Sequence, residues 1–129
     1  MFRNILKFAG TALLATAAAS VSAQSIYNAA NHDYRVVTVA DDLVQPWSMA
    51  WLPDGDMLIT EKPGRLRIVR DGNLLPEAIP GVPEVFYEGQ GGLFDVLPHP
   101  DFDENRWVYL TYSKKTADSS ATAIARGRL

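Results

Sequence analysis

The segment GQGGLFDVLPHPDFDENRWVYLTYS, residues 89–113, decides the fold of this chain. It places Gln90 among glycines, followed by an apolar run, a His-Pro-Asp-Phe turn and a second run rich in aromatic residues. A strand, a turn and a strand in this order form a meander, which is the building unit of all-β folds. Glycine has no Cβ, so its backbone can turn tightly or lie close to a flat ligand. The segment therefore predicts an all-β fold and a candidate ligand contact at Gln90.

The residues before this segment carry a similar pattern. Three short runs, residues 47–52, 57–60 and 65–69, are separated by Pro-Asp-Gly, Pro-Gly and Asp-Gly sequences. Such sequences form the tight turns that connect antiparallel strands. An earlier β pattern begins at Tyr34, and residues 74–83 are expected to form an outer strand and a loop. The pattern predicts an antiparallel meander of short strands.

The two meanders align with each other. Residues 92–97 correspond to residues 47–52, and the turn prolines Pro53 and Pro100 lie 47 positions apart. A four-stranded unit that recurs every 40 to 50 residues is typical of β-propeller blades. Because any β meander can contain Pro-Asp turns, the repeat by itself leaves a propeller and a β-sandwich open.

A propeller fold would need more blades than this sequence contains. Propellers typically contain four to eight blades, and two units do not close a ring. The second unit is incomplete, because an apparent third strand at residues 123–129 is followed by no turn or cap. We therefore expect the sequence to be the front portion of a longer protein.

The N-terminal residues have the features of a signal peptide. Arg3 and Lys7 form a positive region, and residues 8–19 are an uncharged run rich in alanine. Small residues then precede a cleavage position after Ala23, so residues 1–23 are predicted to be removed on export. The run is too short for a stable membrane anchor. A buried N-terminal helix is the alternative.

Composition and charge restrict the class of protein further. Without Arg3 and Lys7 the formal net charge changes from −3 to −5, which argues against nucleic acid as a partner. The chain has no cysteine, so neither a disulfide nor a thiolate zinc site is available. An exported protein held by its core alone suits a periplasmic location, with secretion as the other option. Residues 24–33 are expected to be a flexible lead-in and residues 34–129 the folded part.

Three runs carry a resemblance to a known family: PWSMAWLPDGDMLITEKPGRLRIV at residues 46–69, GQGGLFDVLPHPDF at 89–102 and NRWVYLTYS at 105–113. They resemble the first part of the soluble aldose sugar dehydrogenases, the glucose/sorbosone dehydrogenase family. The final ATAIARGRL, residues 121–129, is similar to the strand that follows in that family. The resemblance extends over residues 41–113 almost without interruption.

The resemblance implies an all-β fold, a partial β-propeller made of about the first two antiparallel four-stranded blades of six. It also implies a periplasmic enzyme that uses pyrroloquinoline quinone (PQQ) and calcium. Such an enzyme oxidises the anomeric C1 hydroxyl of aldose sugars to lactones and passes electrons to an acceptor.

The resemblance assigns one cofactor-binding residue to this chain, Gln90, which would line the quinone pocket. A primary amide both donates and accepts hydrogen bonds, which suits the carbonyl and carboxylate edge of a quinone. The alternative is a loop amide that caps a turn. The family's catalytic histidine, the cations that hold the PQQ carboxylates and the calcium loops all follow residue 129. No catalytic residue or metal ligand is therefore expected here, and the chain alone is expected to be inactive.

The remaining conspicuous side chains are expected to be structural. His99 is interpreted as a locally hydrogen-bonded turn histidine, and His32 as solvated. Glu61 is expected to pair with a nearby arginine. The acidic residues after Pro100 lack the central glycine of a calcium loop. Seven aromatic residues are expected to pack between blades: Trp47, Trp51, Phe94, Phe102, Trp107, Tyr109 and Tyr112.

Two other functions stay open at this point. One is a non-catalytic periplasmic propeller that has kept the blade motifs and lost the cofactor site. The other is an inactive gene fragment that does not fold. The retained Gln90 favours an enzyme over a binding module.

Overall fold

The computed structural model describes residues 25–129, and these belong to two units, one ending at Val37 and one comprising Thr38–Leu129. The predicted signal peptide lies outside the described residues. Within the described residues the only helix has four residues, so no helix there is long enough to cross a membrane.

The first unit contains a small hairpin. Strand β1, Ile26–Tyr27, pairs antiparallel with β2, Tyr34–Arg35, and the Tyr27 and Tyr34 rings stack at 5.5 Å. The β pattern predicted from Tyr34 thus forms a strand of only two residues. Strand β1 lies within the predicted lead-in.

The second unit begins with a four-stranded antiparallel sheet. Its strands are β3, Pro46–Trp51; β4, Met57–Glu61; β5, Arg65–Arg70; and β6, Asn73–Leu74, in that spatial order. The meander predicted from the three turn sequences is confirmed.

The turn between β5 and β6 shows why these sequences turn here. Asp71 and Gly72 both have positive φ angles, 49° and 74°. This is the backbone that a two-residue hairpin turn requires, and Asp-Gly adopts it readily.

A second antiparallel sheet follows, with the order β7, Leu93–Pro98; β8, Trp107–Lys115; and β9, Ser120–Arg128. The helix α1, Phe102–Asn105, begins at the last residue of the predicted His-Pro-Asp-Phe turn, and its C-cap Arg106 is in the left-handed region, with a φ of 58°. Both predicted strands of this segment are present: β7 is shifted by one residue from the predicted 92–97, and the aromatic strand predicted over 107–112 starts at Trp107 and ends three residues later. We call the first sheet blade 1 and the second sheet blade 2.

The main hydrophobic core lies between the two blades, since each contributes the apolar face of its strands. Nine side chains form it, and each is at most 8% exposed: Leu52, Leu58, Leu66, Leu93, Val96, Phe102, Val108, Leu110 and Tyr112. The other face of blade 1 packs Met57, Ile59 and Val69 against Ala40, Leu43 and Leu74. Strand β4 is therefore covered on both faces, and all five of its residues are buried.

Two hydrogen bonds tie the entry of blade 2 to blade 1. The Thr60 hydroxyl donates to the Phe94 carbonyl at 2.5 Å, and the Leu93 N–H donates to the Lys62 carbonyl at 2.9 Å. The β7–β8 register shifts between Leu93 and Val96. The carbonyl that Thr60 contacts therefore lies within this irregularity of the β7–β8 pairing.

A buried ion network lies at the end of β4. The Glu61 side chain is 0% exposed and accepts hydrogen bonds from the Arg65 guanidinium at 2.5 Å and the Arg67 guanidinium at 3.4 Å. The Val44 N–H donates to its other oxygen at 2.6 Å. Burial alone would raise the pKa of Glu61, but the Val44 N–H and the two guanidiniums outweigh it and lower the pKa below its ordinary value. The expected pairing of Glu61 with an arginine is confirmed.

Candidate functional site

Gln90 lies in the tight turn that leads into β7. The Gly91 N–H donates to the Glu88 carbonyl at 2.8 Å and closes the turn. The Gln90 side chain is exposed, and within residues 25–129 its amide has no hydrogen-bond partner. The amide therefore does not cap this turn in the described structure, and its donor and acceptor groups are available to a ligand.

The Gln90 side chain lines an open depression of about 400 Å³ at one end of the blades. The Trp47 and Phe94 rings form an apolar wall, with centroids 5.6 Å apart and planes tilted by 52°. Five other side chains line it with Gln90: Trp47, Phe94, Asp95, Thr111 and Thr122. Ligand sites typically combine apolar walls with a few polar groups in this way.

The glycines around Gln90 have two different roles. A Cβ on Gly91 would overlap the Phe86 carbonyl oxygen, and a Cβ on Gly92 would lie 2.5 Å from the Lys62 carbonyl oxygen. These two glycines therefore allow the protein's own backbone to pack closely. Gly89 differs, because a Cβ there would meet no atom within 4 Å. Of the three glycines that flank Gln90, Gly89 is therefore the one with open space beside it, where a ligand could approach the backbone.

Four polar side chains near Gln90 were not predicted from the sequence: Lys62, Asp95, Thr111 and Thr122. The Lys62 ammonium donates to the Gly89 carbonyl at 3.1 Å and lies 5.7 Å from the Trp47 ring centroid. No local pattern marks Lys62, because its sequence Lys-Pro-Gly reads only as a turn. The two threonines come from β8 and β9, which only the sheet pairing brings to Gln90.

His99 lies far from Gln90, because β7 separates them. A strand of six residues is about 20 Å long. The His99 Nδ1 accepts a hydrogen bond from the Asp101 N–H at 3.0 Å. The His99 ring stacks on the Tyr109 ring, with the two ring centroids 6.1 Å apart. The predicted role of His99 as a locally bonded turn histidine is confirmed.

The structure places the acidic residues after Pro100 on and next to helix α1, where they are exposed. Among residues 25–129, no three His, Asp or Glu side chains come together as a group that could hold a metal ion. His32 is exposed, as expected.

The aromatic residues follow the predicted packing only in part. Phe102 and Tyr112 are buried between the blades, and Trp47 contacts Phe94 across them. Trp51 is 62% exposed, so its predicted packing between these two blades is wrong. It alternates with Ala50 along β3, and Ala50 is the residue that faces the core. Trp107 also departs from the predicted packing between blades. Its ring is covered by the surface guanidinium groups of Arg126 and Arg128, whose Cζ atoms lie 4.6 and 4.8 Å from the ring centroid.

The fold and the depression define this chain as part of a β-propeller protein with a candidate ligand site where its second blade begins. The model of the glucose/sorbosone dehydrogenase family matches residues 43–129, and the chain belongs to that family.

The similarity to individual proteins agrees with the family. The chain is 49% identical to an uncharacterised protein of Synechocystis sp., over 86% of this chain and 29% of that protein. It is 45% identical to the aldose sugar dehydrogenase YliI of Escherichia coli strain K12, over 73% of this chain and 26% of that protein. The structure is similar to the PQQ-bound form of the aldose sugar dehydrogenase of Streptomyces coelicolor, with a TM-score of 0.61 and 29% identity over 70% of this chain and 26% of that chain.

These comparisons settle the fold class. The solved neighbours are β-propeller dehydrogenases, and the antiparallel blades found here confirm the expected partial β-propeller. The chain spans less than a third of the length of the relatives it matches, 29% and 26% for the two curated proteins.

Proposed function

We propose that this chain is the N-terminal portion of an exported, PQQ-dependent aldose dehydrogenase that oxidises the anomeric C1 hydroxyl of sugars to lactones. One observation carries the proposal. The Gln90 amide lines an open depression and has no partner within residues 25–129. Family membership and a relative that is named as a PQQ-bound aldose sugar dehydrogenase support this reading.

The residues of the depression fit one edge of PQQ, a planar quinone that carries carboxylates. The Gln90 amide can donate to a carboxylate or carbonyl oxygen and accept from a ring N–H. Gly89 leaves open space beside it, and the Trp47 and Phe94 rings offer an apolar surface. Cations must balance the PQQ carboxylates, and in our proposal most of them come from residues after 129. This chain thus contributes one wall of the pocket.

The proposed chemistry assigns a limited part to the described residues. When bound, PQQ would accept a hydride from the sugar C1, and calcium would polarise the quinone carbonyl as a Lewis acid. The anomeric hydroxyl loses its proton to a histidine base that we place after residue 129. His99 does not serve as this base, since it lies at the other end of β7. Gln90 orients the cofactor and the blades exclude water from its edge.

The location of the protein follows from its predicted signal peptide. Cleavage after Ala23 would release the protein to the periplasm or the medium. Calcium, an aldose sugar and an electron acceptor are its partners, and nucleic acid is not one.

The test uses the full gene product and the 129-residue chain side by side, each with PQQ and calcium. We expect an aldose to drive reduction of a redox dye by the full gene product and not by the 129-residue chain. Dye reduction by the short chain would show that the base is not located after residue 129. Failure of the full gene product to bind PQQ would favour a non-catalytic binding module.

The site itself is tested by Gln90→Ala in the full gene product. Loss of one hydrogen bond to a charged group weakens PQQ binding about tenfold in an absorbance titration. The control is Asn28→Ala, an exposed amide in the first unit, and it leaves the affinity unchanged. Equal affinity for Gln90→Ala and the wild type would remove Gln90 from the site.

A further inference from the structure

The backbone of Lys62 connects three segments of the chain near the depression. Lys62 directly follows β4 in blade 1. Its N–H donates to the Gln45 carbonyl at 3.0 Å, and its carbonyl accepts from the Leu93 N–H at 2.9 Å. These bonds join the segment before β3 to the start of β7. The position of Lys62 is therefore fixed from both blades.

The Lys62 side chain then spans the turn that carries Gln90. Its stem passes Gly92, where a Cβ would lie 2.5 Å from the Lys62 Cγ. Its ammonium reaches the Gly89 carbonyl at 3.1 Å. The two contacts lie on either side of Gln90, so the stem and the ammonium hold the turn at both ends.

The Lys62 ammonium lies beside the Gln90 turn and the Trp47 ring, and it pairs with no carboxylate among the described residues. None of the ion pairs among residues 25–129 includes Lys62. The ammonium lies 5.7 Å from the centroid of the Trp47 ring, within the range of a cation–π interaction. One side chain thus contacts both the Gln90 turn and the aromatic wall of the depression.

We infer that Lys62 is a positioning residue of the site: it orders the turn of residues 88–92 and so directs the Gln90 amide into the depression. Lys62 acts through Gln90 and not by contact with the ligand. The identification of the ligand as PQQ rests on the proposed function. The ordering of the turn by Lys62 does not depend on any ligand.

Four variants of the full gene product test this role. Lys62→Met keeps the length of the stem and removes the ammonium. Lys62→Leu is a second neutral variant without a donor, made so that a folded neutral protein is available if Lys62→Met does not fold. Lys62→Arg keeps a cation and a donor. Lys114→Met removes an exposed lysine on β8 and serves as the matched control.

The first measurement is hydrogen–deuterium exchange of the segment 86–93 without any ligand. We expect exchange at least about tenfold faster in the neutral Lys62 variants, because a bond to a charged donor is lost. Lys62→Arg and Lys114→Met should match the wild type. Unchanged exchange in a folded neutral variant would overturn the inference, whether or not the protein binds PQQ.

The second measurement is a PQQ titration in the wild-type and Gln90→Ala backgrounds. If Lys62 acts through Gln90, Lys62→Met weakens binding about tenfold in the wild type and less than about twofold in Gln90→Ala. An equal loss in both backgrounds would mean direct contact with the cofactor and would overturn the positioning role. A wild type that binds no PQQ refutes the proposed function, and the exchange measurement then decides the role of Lys62 alone.

Discussion

Blade 1 and blade 2 follow the same meander but are buried differently. In blade 1 all five residues of β4 are buried, because the core covers one face and Ala40, Leu43 and Leu74 cover the other. In blade 2 the residues of β8 alternate between buried and half-buried from Trp107 to Tyr112. The shared turn sequences thus specify strand order, whereas burial depends on what packs against each face.

The two blades also place their charges differently. Blade 1 encloses the Glu61 carboxylate with two arginines at its end. Blade 2 keeps Arg126 and Arg128 at the surface, over the Trp107 ring. A buried carboxylate depends on its partners far more than an exposed guanidinium does. The comparison therefore predicts that blade 1 is the more sensitive to substitution.

The largest effect is expected from Glu61→Gln. The substitution leaves the Arg67 guanidinium, only 10% exposed, without its carboxylate partner. Breaking a buried ion pair in this way costs about 3–5 kcal/mol. Urea unfolding of the 129-residue chain measures the loss. The exposed Glu88→Gln is the control, and a similar free energy of unfolding for both variants would show that the network does not stabilise blade 1.

A matched pair of isoleucines compares the outer faces of the two blades. Ile59 in β4 is 6% exposed and Ile124 in β9 is 72% exposed. Ile59→Ala should lower the free energy of unfolding by about 2–5 kcal/mol, because it empties a packed site. In the 129-residue chain, Ile124→Ala should change it by less than about 0.5 kcal/mol, because the side chain is exposed there. A large loss at Ile124 in this chain would mean that another copy covers that face.

The sequence predicted the strands well because their signals are local. The Pro-Asp-Gly, Pro-Gly and Asp-Gly turns fix chain reversals within a few residues, and Asp71-Gly72 adopts the expected backbone. The orientation of Trp51 could not be predicted in the same way. Alternation shows that Trp51 and Ala50 face opposite sides, but tertiary packing decides that Ala50 faces the core.

The site was predicted only in part for the same reason. Gln90 was found through the resemblance, and the structure places it at a depression. Its neighbours Thr111 and Thr122 come from two strands whose register no local pattern specifies. Lys62 lies 28 positions before Gln90 and meets its turn only because blade 1 packs against blade 2.

A smaller effect is expected at the hydrogen bond between the blades. The Thr60 side chain is fully buried, and its hydroxyl donates to the Phe94 carbonyl. Valine is similar in shape to threonine but has no hydroxyl. Thr60→Val therefore leaves that carbonyl without its donor, which should lower the free energy of unfolding by about 1–3 kcal/mol. Thr122→Val, at an exposed position in β9, should be neutral. Equal unfolding free energies would show that the bond does not hold the blades together.

The smallest effect is expected from mild acid, because the partners of Glu61 lower its pKa and keep the carboxylate ionised there. Its folded pKa lies below the ordinary value of 4.5, so the folded chain binds fewer protons than the unfolded chain. The stabilisation from Glu61 is then fully present above pH 4.5 and is lost as the pH falls through the lowered pKa. Urea unfolding between pH 7 and pH 3 should show little change down to about pH 5 and a decline below it. Asp56, whose pKa the Arg70 hydrogen bond lowers, should contribute in the same direction. The Glu61→Gln variant should decline less steeply than the wild type, and parallel declines would mean that Glu61 titrates alike in both states.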